Sequence, residues 1–299
     1  MRIFDSRGSK LSEISEEQFL LEQDMQTLTE TNLQQIFRLD LVRSEFELHG
    51  LRIDTLSFDK DSRAFVIIEY KKDRNFSVVD QGMAYLSLML NNKADFILEY
   101  NERSSASPSL KRTEVNWSQS RVLFISPEFT KYQQHAIGFK DFGIQLWEIH
   151  KYKNGIVTFN EVKSSVQKES ITTIAKTNPV ARRVSEEIKV YTEDDLLTGV
   201  DDKIKELYTD LKSAILSLGK DVEVRPKKLY IAFRRRQGFV GIVFLKSKLK
   251  AYLNIDFPDI KDQLKKTRDV TKVGHYSHGN TEVTITDPSE IPYVLTLIK

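Results

Sequence analysis

The stretch LRIDTLSFDKDSRAFVIIEYKK, residues 51–72, predicts the centre of the fold. Two apolar runs flank the charged turn 59–63, and this pattern is typical of two antiparallel strands joined by a hairpin. The preceding run LVRSEFEL, residues 41–48, ends at a His-Gly turn and adds a third strand. The sequence therefore predicts a three-stranded antiparallel meander.

Three charged residues lie inside or directly after these apolar runs, namely Asp54, Glu69 and Lys71. Residues two apart in a strand point to the same face, so Glu69 and Lys71 project together. In the register that pairs position 54 with position 69, the turn brings Asp54 opposite Glu69. The sequence then predicts two carboxylates and one ammonium group on one patch of the sheet.

Two adjacent carboxylates repel each other unless a positive charge lies between them. Mg²⁺, with Mn²⁺ as a substitute, prefers oxygen ligands and takes one or two carboxylates together with waters and substrate phosphate oxygens. Asp54 and Glu69 are therefore candidate metal ligands, and Lys71 is a candidate to orient the attacking water or to neutralise the scissile phosphate. The alternative is a surface ion pair between Glu69 and Lys71, which would contribute less than about 1 kcal/mol. The position of the carboxylates within apolar runs favours the metal site, because an unpaired buried charge is costly.

The rest of the first 162 residues alternates between helical and strand patterns, which predicts an α/β mixed sheet with helices on its faces. Residues 12–38 contain no Gly or Pro and repeat apolar residues at helical spacing, which predicts one or two helices, the second starting near Thr29. Residues 93–103 fit a helix or a strand. Further expected elements are a helix at 77–92, strands at 121–126 and 144–149, a helix between these strands, and a short strand after Gly155.

A polar segment, residues 163–190, is interpreted as a linker because it carries few large apolar groups. Residues 191–299 then predict a smaller α+β domain with a helix at 201–219 and strands in KLYIAFRRR, FVGIVFLKS and KAYLNID. Residues 201–299 hold 19 Lys and Arg against 13 Asp and Glu, and the first 200 residues hold 26 against 30. The net charge of +2 thus conceals a basic C-terminal part, which suits an anionic partner.

The composition excludes several classes of site. The chain has no cysteine, so disulfides, thiolate metal sites and a cysteine nucleophile are excluded. No apolar run is long enough to span a bilayer, and the first residues lack the apolar core of a signal peptide. We therefore expect no membrane partner and a cytoplasmic location.

The motifs GLRIDTL and FVIIEYKK resemble the metal-binding and catalytic strands of the PD-(D/E)XK nuclease superfamily, the fold of the restriction endonucleases. The order of an RID strand, a VIE-x-K strand and a helix with Gln and Tyr is similar to the NucS-type branch, although Ile53 stands where a proline often precedes the Asp. The resemblance covers about residues 15–160. It implies a restriction-endonuclease-like fold, a Mg²⁺ or Mn²⁺ cofactor held by Asp54 and Glu69, and Lys71 as the catalytic lysine.

The same resemblance implies roles for other residues. Gln81 matches the supporting glutamine of the helix, with Tyr85 one turn later on the same face, and Glu30 matches the helix glutamate that often completes the site. An alternative for Gln81 and Tyr85 is a solvent-facing polar pair. Tyr85 is also a candidate nucleic-acid contact. Arg52 is either a phosphate contact or the partner of an ion pair, and Glu30 is alternatively a first-turn helix acid.

The second domain mixes Lys and Arg with Tyr and Phe, a composition that can hold a phosphate backbone while aromatic rings stack on bases. Arg234, Arg235 and Arg236 are the candidate contacts, although alternating charges on the open face of a sheet give the same pattern. This region resembles a domain of unknown function that carries the label "predicted transport". His275 and His278 in GHYSHGN fit a turn better than a metal site, since spacing provides no third ligand.

These features predict a metal-dependent endonuclease or exonuclease that hydrolyses DNA phosphodiester bonds, with the second domain assisting substrate binding. The alternative is a module on the same fold that binds nucleic acid or protein without turnover, and a transport accessory role rests on the label alone. Many nucleases of the superfamily that the motifs resemble dimerise to cut both strands. The sequence is compatible with a homodimer and does not decide the oligomeric state.

Overall fold

The computed structural model of the protein describes residues 2–8, 10–73, 76–103, 109–137, 143–162, 179–235, 237–275, 277 and 279–298. The chain divides into two compact units, Met1–Val190 and Tyr191–Lys299. Within the described ranges, every helix falls short of the length and apolar character needed to cross a membrane.

The first unit consists of a mixed sheet with helices on both faces. Its elements, in chain order, are β1 (Ile3–Asp5), β2 (Ser12–Ile14), β3 (Glu16–Glu17), α1 (Glu22–Thr31), α2 (Leu33–Phe37), β4 (Asp40–Leu48), β5 (Leu51–Asp59), β6 (Ala64–Tyr70), α3 (Val78–Asn91), α4 (Lys93–Arg103), β7 (Arg121–Ser126), α5 (Lys131–Ala136), β8 (Ile144–Tyr152), β9 (Val157–Val162) and α6 (Pro179–Glu187).

The predicted meander forms one side of this sheet, with β4 at the edge, and β4, β5 and β6 pair antiparallel in sequence order. The sheet continues with β7 and β8, each parallel to its predecessor, and β3 and β9 pair antiparallel with β8. The predicted fold class, a mixed sheet flanked by helices, is confirmed. Between β5 and β6 the register runs from Asp59 opposite Ala64 to Thr55 opposite Ile68, which is the register that the hairpin predicts.

Alternation along β6 supplies both faces of the sheet with core residues, and every residue of this strand is buried. Phe65 and Ile67 pack in the cluster that includes α3, α4 and α6, whereas Val66, Ile68 and Tyr70 pack in the cluster that includes α1 and α2. A strand that is buried on both faces has apolar residues at consecutive positions, which explains the AFVII sequence. Glu69 follows Ile67 on the α3 face.

The prediction of helix throughout residues 12–38 is wrong at its start. Ser12–Ile14 pairs with Ile3–Asp5 in a hairpin, and Glu16–Glu17 pairs with β8. The second helix begins at Leu33 rather than near Thr29, because the first continues to Thr31. Residues 12–17 form strands because they pair with distant strands, which the local pattern does not reveal. Residues 93–103, which fit a helix or a strand, form a helix.

The linker interpretation of residues 163–190 is wrong for its last part. Residues 163–178 lie outside the described residues, but Pro179–Glu187 is a helix of the first unit. Ala181, Val184 and Ile188 are buried in the cluster that includes α3. Three apolar residues at helical spacing are enough to attach this otherwise polar segment to the core.

The second unit is a small α+β domain, as predicted. Its elements are α7 (Glu193–Leu197), α8 (Asp202–Leu216), β10 (Glu223–Pro226), β11 (Ile231–Arg234), β12 (Gly238–Leu245), β13 (Lys248–Leu253), β14 (Thr267–Asp269), β15 (Thr281–Ile285) and α9 (Ile291–Ile298). The strands form an antiparallel sheet in the order β10-β11-β12-β13-β15-β14. Apolar residues of α8 and α9 pack against one face of this sheet. Three strands, β10, β14 and β15, were not predicted from the sequence because they are short and partly polar.

Candidate active site

The end of β6 and the first turns of α3 bring three of the predicted site residues together around the carboxylate of a fourth, Glu69. Glu69 Oε1 accepts hydrogen bonds from Lys71 Nζ at 2.7 Å and from Gln81 Nε2 at 2.6 Å. Glu69 Oε2 accepts from the Tyr85 hydroxyl at 2.9 Å. Glu69 is only 3% exposed, so these donors replace water as its hydrogen-bonding partners.

The N-cap and one glycine of helix α3 position Gln81 and Tyr85 beside Glu69. The Ser77 side chain accepts from the Asp80 N–H at the start of the helix, which satisfies one of its unpaired amides. A Cβ on Gly82 would lie 2.1 Å from Ile144 Cδ1, so a larger residue here would require the Ile144 side chain to move, and glycine allows this close approach of helix to sheet. Gln81 and Tyr85, one turn apart, therefore face the end of β6.

Tyr85 is a buried positioning group. Its hydroxyl lies 2.9 Å from both Glu69 Oε2 and the Arg52 carbonyl oxygen, and it accepts from Gln81 Nε2 at 3.2 Å. Burial first, and the Glu69 charge second, raise the pKa of this phenol well above its usual value, so it stays protonated. With the residue 4% exposed, the predicted nucleic-acid contact for Tyr85 is wrong, because the ring has no free face on which a base could stack. The alternative of a solvent-facing pair with Gln81 is also wrong.

Asp54 lies beside this cluster on the neighbouring strand. Its Oδ2 accepts the backbone N–H of Tyr70 at 3.0 Å. Burial first and the charge of Glu69 second raise the pKa of Asp54 to about 7, against the opposing effects of the Tyr70 amide and of Lys71. The two carboxylates thus repel each other in a partly desolvated place, as two ligands of one cation would.

The donor set fits a hard divalent cation with few protein ligands. A carboxylate has about four acceptor positions. Glu69 uses three of them, and the described hydrogen bond of Asp54 uses one. Among the described residues, no three His, Cys, Asp or Glu side chains converge in a way that could hold a metal. Two carboxylates completed by waters and substrate oxygens is the arrangement that Mg²⁺ commonly takes.

Glu30 lies on the face of the sheet opposite to Asp54 and Glu69. Its Oε1 accepts from Thr55 Oγ1 at 2.5 Å and from Gln26 Nε2 at 3.1 Å. Thr55 follows Asp54 in the strand, and its hydroxyl lies 3.2 Å from the Tyr70 hydroxyl in the core beneath α1. The structure therefore brings Glu30 to the opposite face of β5, and its link to Asp54 is the bond from Gln26 Nε2 to the Asp54 carbonyl oxygen at 2.9 Å.

Arg52 forms an ion pair, with Nε 3.0 Å from Glu45 Oε2. Glu45 lies in β4 between the pairs Ser44–Thr55 and Phe46–Ile53, which places it across from Asp54. It has a φ of 53°, a left-handed conformation that is costly for a residue with a side chain, and its charge contributes to the raised pKa of Asp54. Glu45 is not among the site residues predicted from the sequence, and only the cross-strand register of β4 could have identified it.

The C-terminal candidates lie in the second unit. Arg235 donates to the Leu218 carbonyl oxygen at 2.5 Å, and its guanidinium lies 5.9 Å from the centre of the Phe239 ring. Arg234 is the last residue of β11, and Arg236 lies outside the described residues. The His275 ring stacks on Tyr252 at 4.8 Å in a turn region, and His278 also lies outside the described residues.

Comparisons with known proteins cover both units. Residues 193–299 match a domain of unknown function, DUF5655, which agrees with the resemblance predicted for the second domain. A crystal structure of a repair endonuclease from Pyrococcus abyssi aligns at a TM-score of 0.25 and 14% identity, over 45% of this chain and about half (49%) of that chain. An uncharacterized protein of Haemophilus influenzae (strain ATCC 51907 / DSM 11121 / KW20 / Rd) is 42% identical over 299 residues, which is 100% of this chain and 98% of that protein. The chain belongs to the same family as this Haemophilus influenzae protein.

Proposed function

We propose that the first unit is a divalent-metal-dependent nuclease that hydrolyses DNA phosphodiester bonds. The observation that supports it most is the convergence of Asp54, Glu69 and Lys71 at the paired ends of β5 and β6, in a partly buried place. Two repelling carboxylates with a lysine beside them suit a cation and a developing negative charge. The resemblance of the RID and VIE-x-K motifs gives the reaction class and DNA as the substrate.

Each residue has a separate task in this proposal. Asp54 and Glu69 would hold the cation, and a bound Mg²⁺ or Mn²⁺ would supply Lewis acidity and a more acidic water. Lys71, two residues after Glu69 and partly exposed, would orient the water or neutralise charge on the scissile phosphate. Gln81 and Tyr85 would hold the Glu69 carboxylate in one orientation.

The second unit would assist by binding substrate. Its basic balance, 19 Lys and Arg against 13 Asp and Glu over residues 201–299, favours a polyanion. Sequence readout would depend on loops outside the motif.

A second candidate function is a binding module that keeps the fold without turnover. One specific observation favours it, namely that Glu69 already receives three hydrogen bonds, including that from Lys71 Nζ. A carboxylate with this many donors can serve as a structural anchor in the absence of any cation. A measurement of metal binding therefore distinguishes the nuclease from the binding module.

The test of turnover is a gel assay of the full chain on supercoiled plasmid, single-stranded DNA and RNA with Mn²⁺, beside Lys71→Ala and Lys72→Ala. Lys72 is the matched control because it is exposed and its Nζ donates to the Leu20 carbonyl oxygen, 2.7 Å away. We expect DNA cleavage by the parent and by Lys72→Ala, loss with chelator, and at least about a hundredfold loss in Lys71→Ala. Equal cleavage by the parent and Lys71→Ala would refute this mechanism.

Isothermal titration with Mn²⁺ addresses the binding-module alternative directly. A metal site predicts saturable binding that Glu69→Ala and Asp54→Asn both abolish, with folding checked by circular dichroism. If the parent binds no Mn²⁺ and cuts none of the three substrates, the module without turnover is the better description.

A further inference from the structure

Asp54 lies at a break in the regular pairing of its strand. On the β4 side, the pairing passes from Thr55 to Ile53 and leaves out Asp54. Glu45, which lies across from it, has a φ of 53°, and this left-handed backbone cannot continue a β-ladder. On the β6 side, the ladder ends at Thr55. Within β4, β5 and β6, all of which the structure describes, regular pairing therefore does not fix the position of Asp54.

Two hydrogen bonds that involve side chains hold Asp54 in place of the ladder. Its Oδ2 accepts from the Tyr70 N–H at 3.0 Å, and its carbonyl oxygen accepts from Gln26 Nε2 at 2.9 Å. Gln26 belongs to α1, which packs on the face of the sheet opposite to α3. The second bond therefore ties the Asp54 main chain to a helix that lies outside the candidate active site.

The surroundings of Gln26 allow its amide only one orientation. Gln26 is 3% exposed, and its Nε2 also lies 3.1 Å from Glu30 Oε1 and 3.1 Å from Ser44 Oγ. The carbonyl oxygen of Asp54 and the carboxylate oxygen of Glu30 can only accept, so the amide must direct its nitrogen toward them. The donors of Gln26 are therefore aimed at the Asp54 main chain by neighbouring groups.

Glu30 is held in turn by the sheet. Its Oε1 accepts from Thr55 Oγ1 at 2.5 Å, and the Tyr70 hydroxyl lies 3.2 Å from the same Thr55 oxygen. Tyr70 thus connects to Asp54 directly by its N–H. Its side chain makes a second connection, which passes through Thr55 and Glu30 to the Gln26 amide. A buried network of this kind holds its side chains in one arrangement.

We propose that Gln26 is the positioning residue of Asp54 and keeps its carboxylate in place to hold a cation together with Glu69. This inference rests on the proposed function, because it concerns the cation that Asp54 would bind. Gln26 would contact neither the cation nor the substrate and would act only through the Asp54 main chain. Removal of a group that orients a metal ligand typically weakens metal binding by about ten- to a hundredfold.

The test is isothermal titration of the full chain with Mn²⁺. Gln26→Met keeps the length of the side chain and removes its donors, and we expect it to bind Mn²⁺ about tenfold or more weakly than the parent. Gln23→Met is the matched control and should keep the parental affinity, because Gln23 is an exposed residue of the same helix. In Gln26→Asn the amide is one methylene further from the Asp54 carbonyl oxygen. This variant should weaken binding in the same way, and it replaces Gln26→Met if that variant does not fold.

Hydrogen exchange provides a readout without metal and separates positioning from general destabilisation. The Tyr70 amide donates to Asp54, so in chelator its exchange should be about tenfold faster in Gln26→Met than in the parent. The Lys71 amide, which donates to the Ile125 carbonyl oxygen at 2.9 Å, is the internal reference and should keep its rate. Equal acceleration of both amides would show that Gln26 only stabilises the fold, and it would overturn the proposal.

The two measurements distinguish a failure of this inference from a failure of the proposed nuclease. Parental Mn²⁺ affinity in Gln26→Met would overturn the positioning role and leave the proposed metal site intact. If the parent itself binds no Mn²⁺, the proposed metal site is wrong, and the exchange rate of the Tyr70 amide alone decides whether Gln26 positions Asp54.

Discussion

Tyr70 donates its backbone N–H to Oδ2 of Asp54 over 3.0 Å, so the last residue of β6 is bonded to a carboxylate of the neighbouring strand. This bond holds Asp54 next to Glu69 although their charges repel. Burial and Glu69 raise the pKa of Asp54 to about 7, while the Tyr70 amide and Lys71 only partly offset them. The metal-free fold is therefore destabilised at this point when Asp54 ionises.

Asp54→Asn should remove this pH dependence. The pKa of Asp54 is higher in the folded than in the unfolded chain, where it is near 3.8, so its contribution to stability is complete below about pH 4 and is lost as pH rises through about 7. In chelator at pH 8 we expect the variant to be more stable than the parent by about 2–4 kcal/mol, with little difference at pH 4.

Urea unfolding of both proteins between pH 4 and 8 measures this difference. Asp210→Asn, on an exposed position of α8, is the control and should follow the parental curve. Parallel curves for the parent and Asp54→Asn would show that Asp54 ionises normally in the folded protein.

Tyr85→Phe should destabilise the fold by about 1–3 kcal/mol, because it removes the hydroxyl that lies beside Glu69 Oε2 and the Arg52 carbonyl oxygen. Urea unfolding at pH 7 provides the value. Tyr132→Phe is the matched control, since Tyr132 is 88% exposed and its hydroxyl is in water. A similar stability for the two variants would mean that the Tyr85 hydroxyl is not needed to hold the buried carboxylate.

The local patterns were sufficient for the meander of β4, β5 and β6 and for the residues that surround Glu69. The hairpin register follows from turn length and alternation, and the positions of Gln81 and Tyr85 follow from helical spacing. The pattern could not predict what depends on distant partners. Residues 12–17 become strands because β1 and β8 accept them, and Glu30 turns away from Asp54 because helix α1 packs on the opposite face.

Gly82→Ala should separate α3 from the sheet at the point where the site is built. The new methyl group would meet Ile144 Cδ1 at 2.1 Å and Cγ1 at 2.9 Å, and we expect a loss of about 1–3 kcal/mol from overpacking. Ile144→Val removes the terminal Cδ1 and should restore part of this loss in the double variant. A double-mutant cycle by urea unfolding gives the coupling energy, and strict additivity would contradict a steric cause.

Lys250→Met should destabilise the second unit by leaving the Glu282 carboxylate buried without its cationic partner. Glu282 is buried and accepts from Lys250 Nζ at 2.9 Å, so we expect a loss of about 1–3 kcal/mol at pH 7. The double variant Lys250→Met/Glu282→Gln should recover most of it, because the remaining amide is neutral. Lowering the pH should narrow the gap between the single variant and the parent, since protonation of Glu282 removes the unpaired charge. Thermal unfolding of the three proteins at pH 5 and 7 measures both effects, and a single variant as stable as the parent would show that water already solvates Glu282.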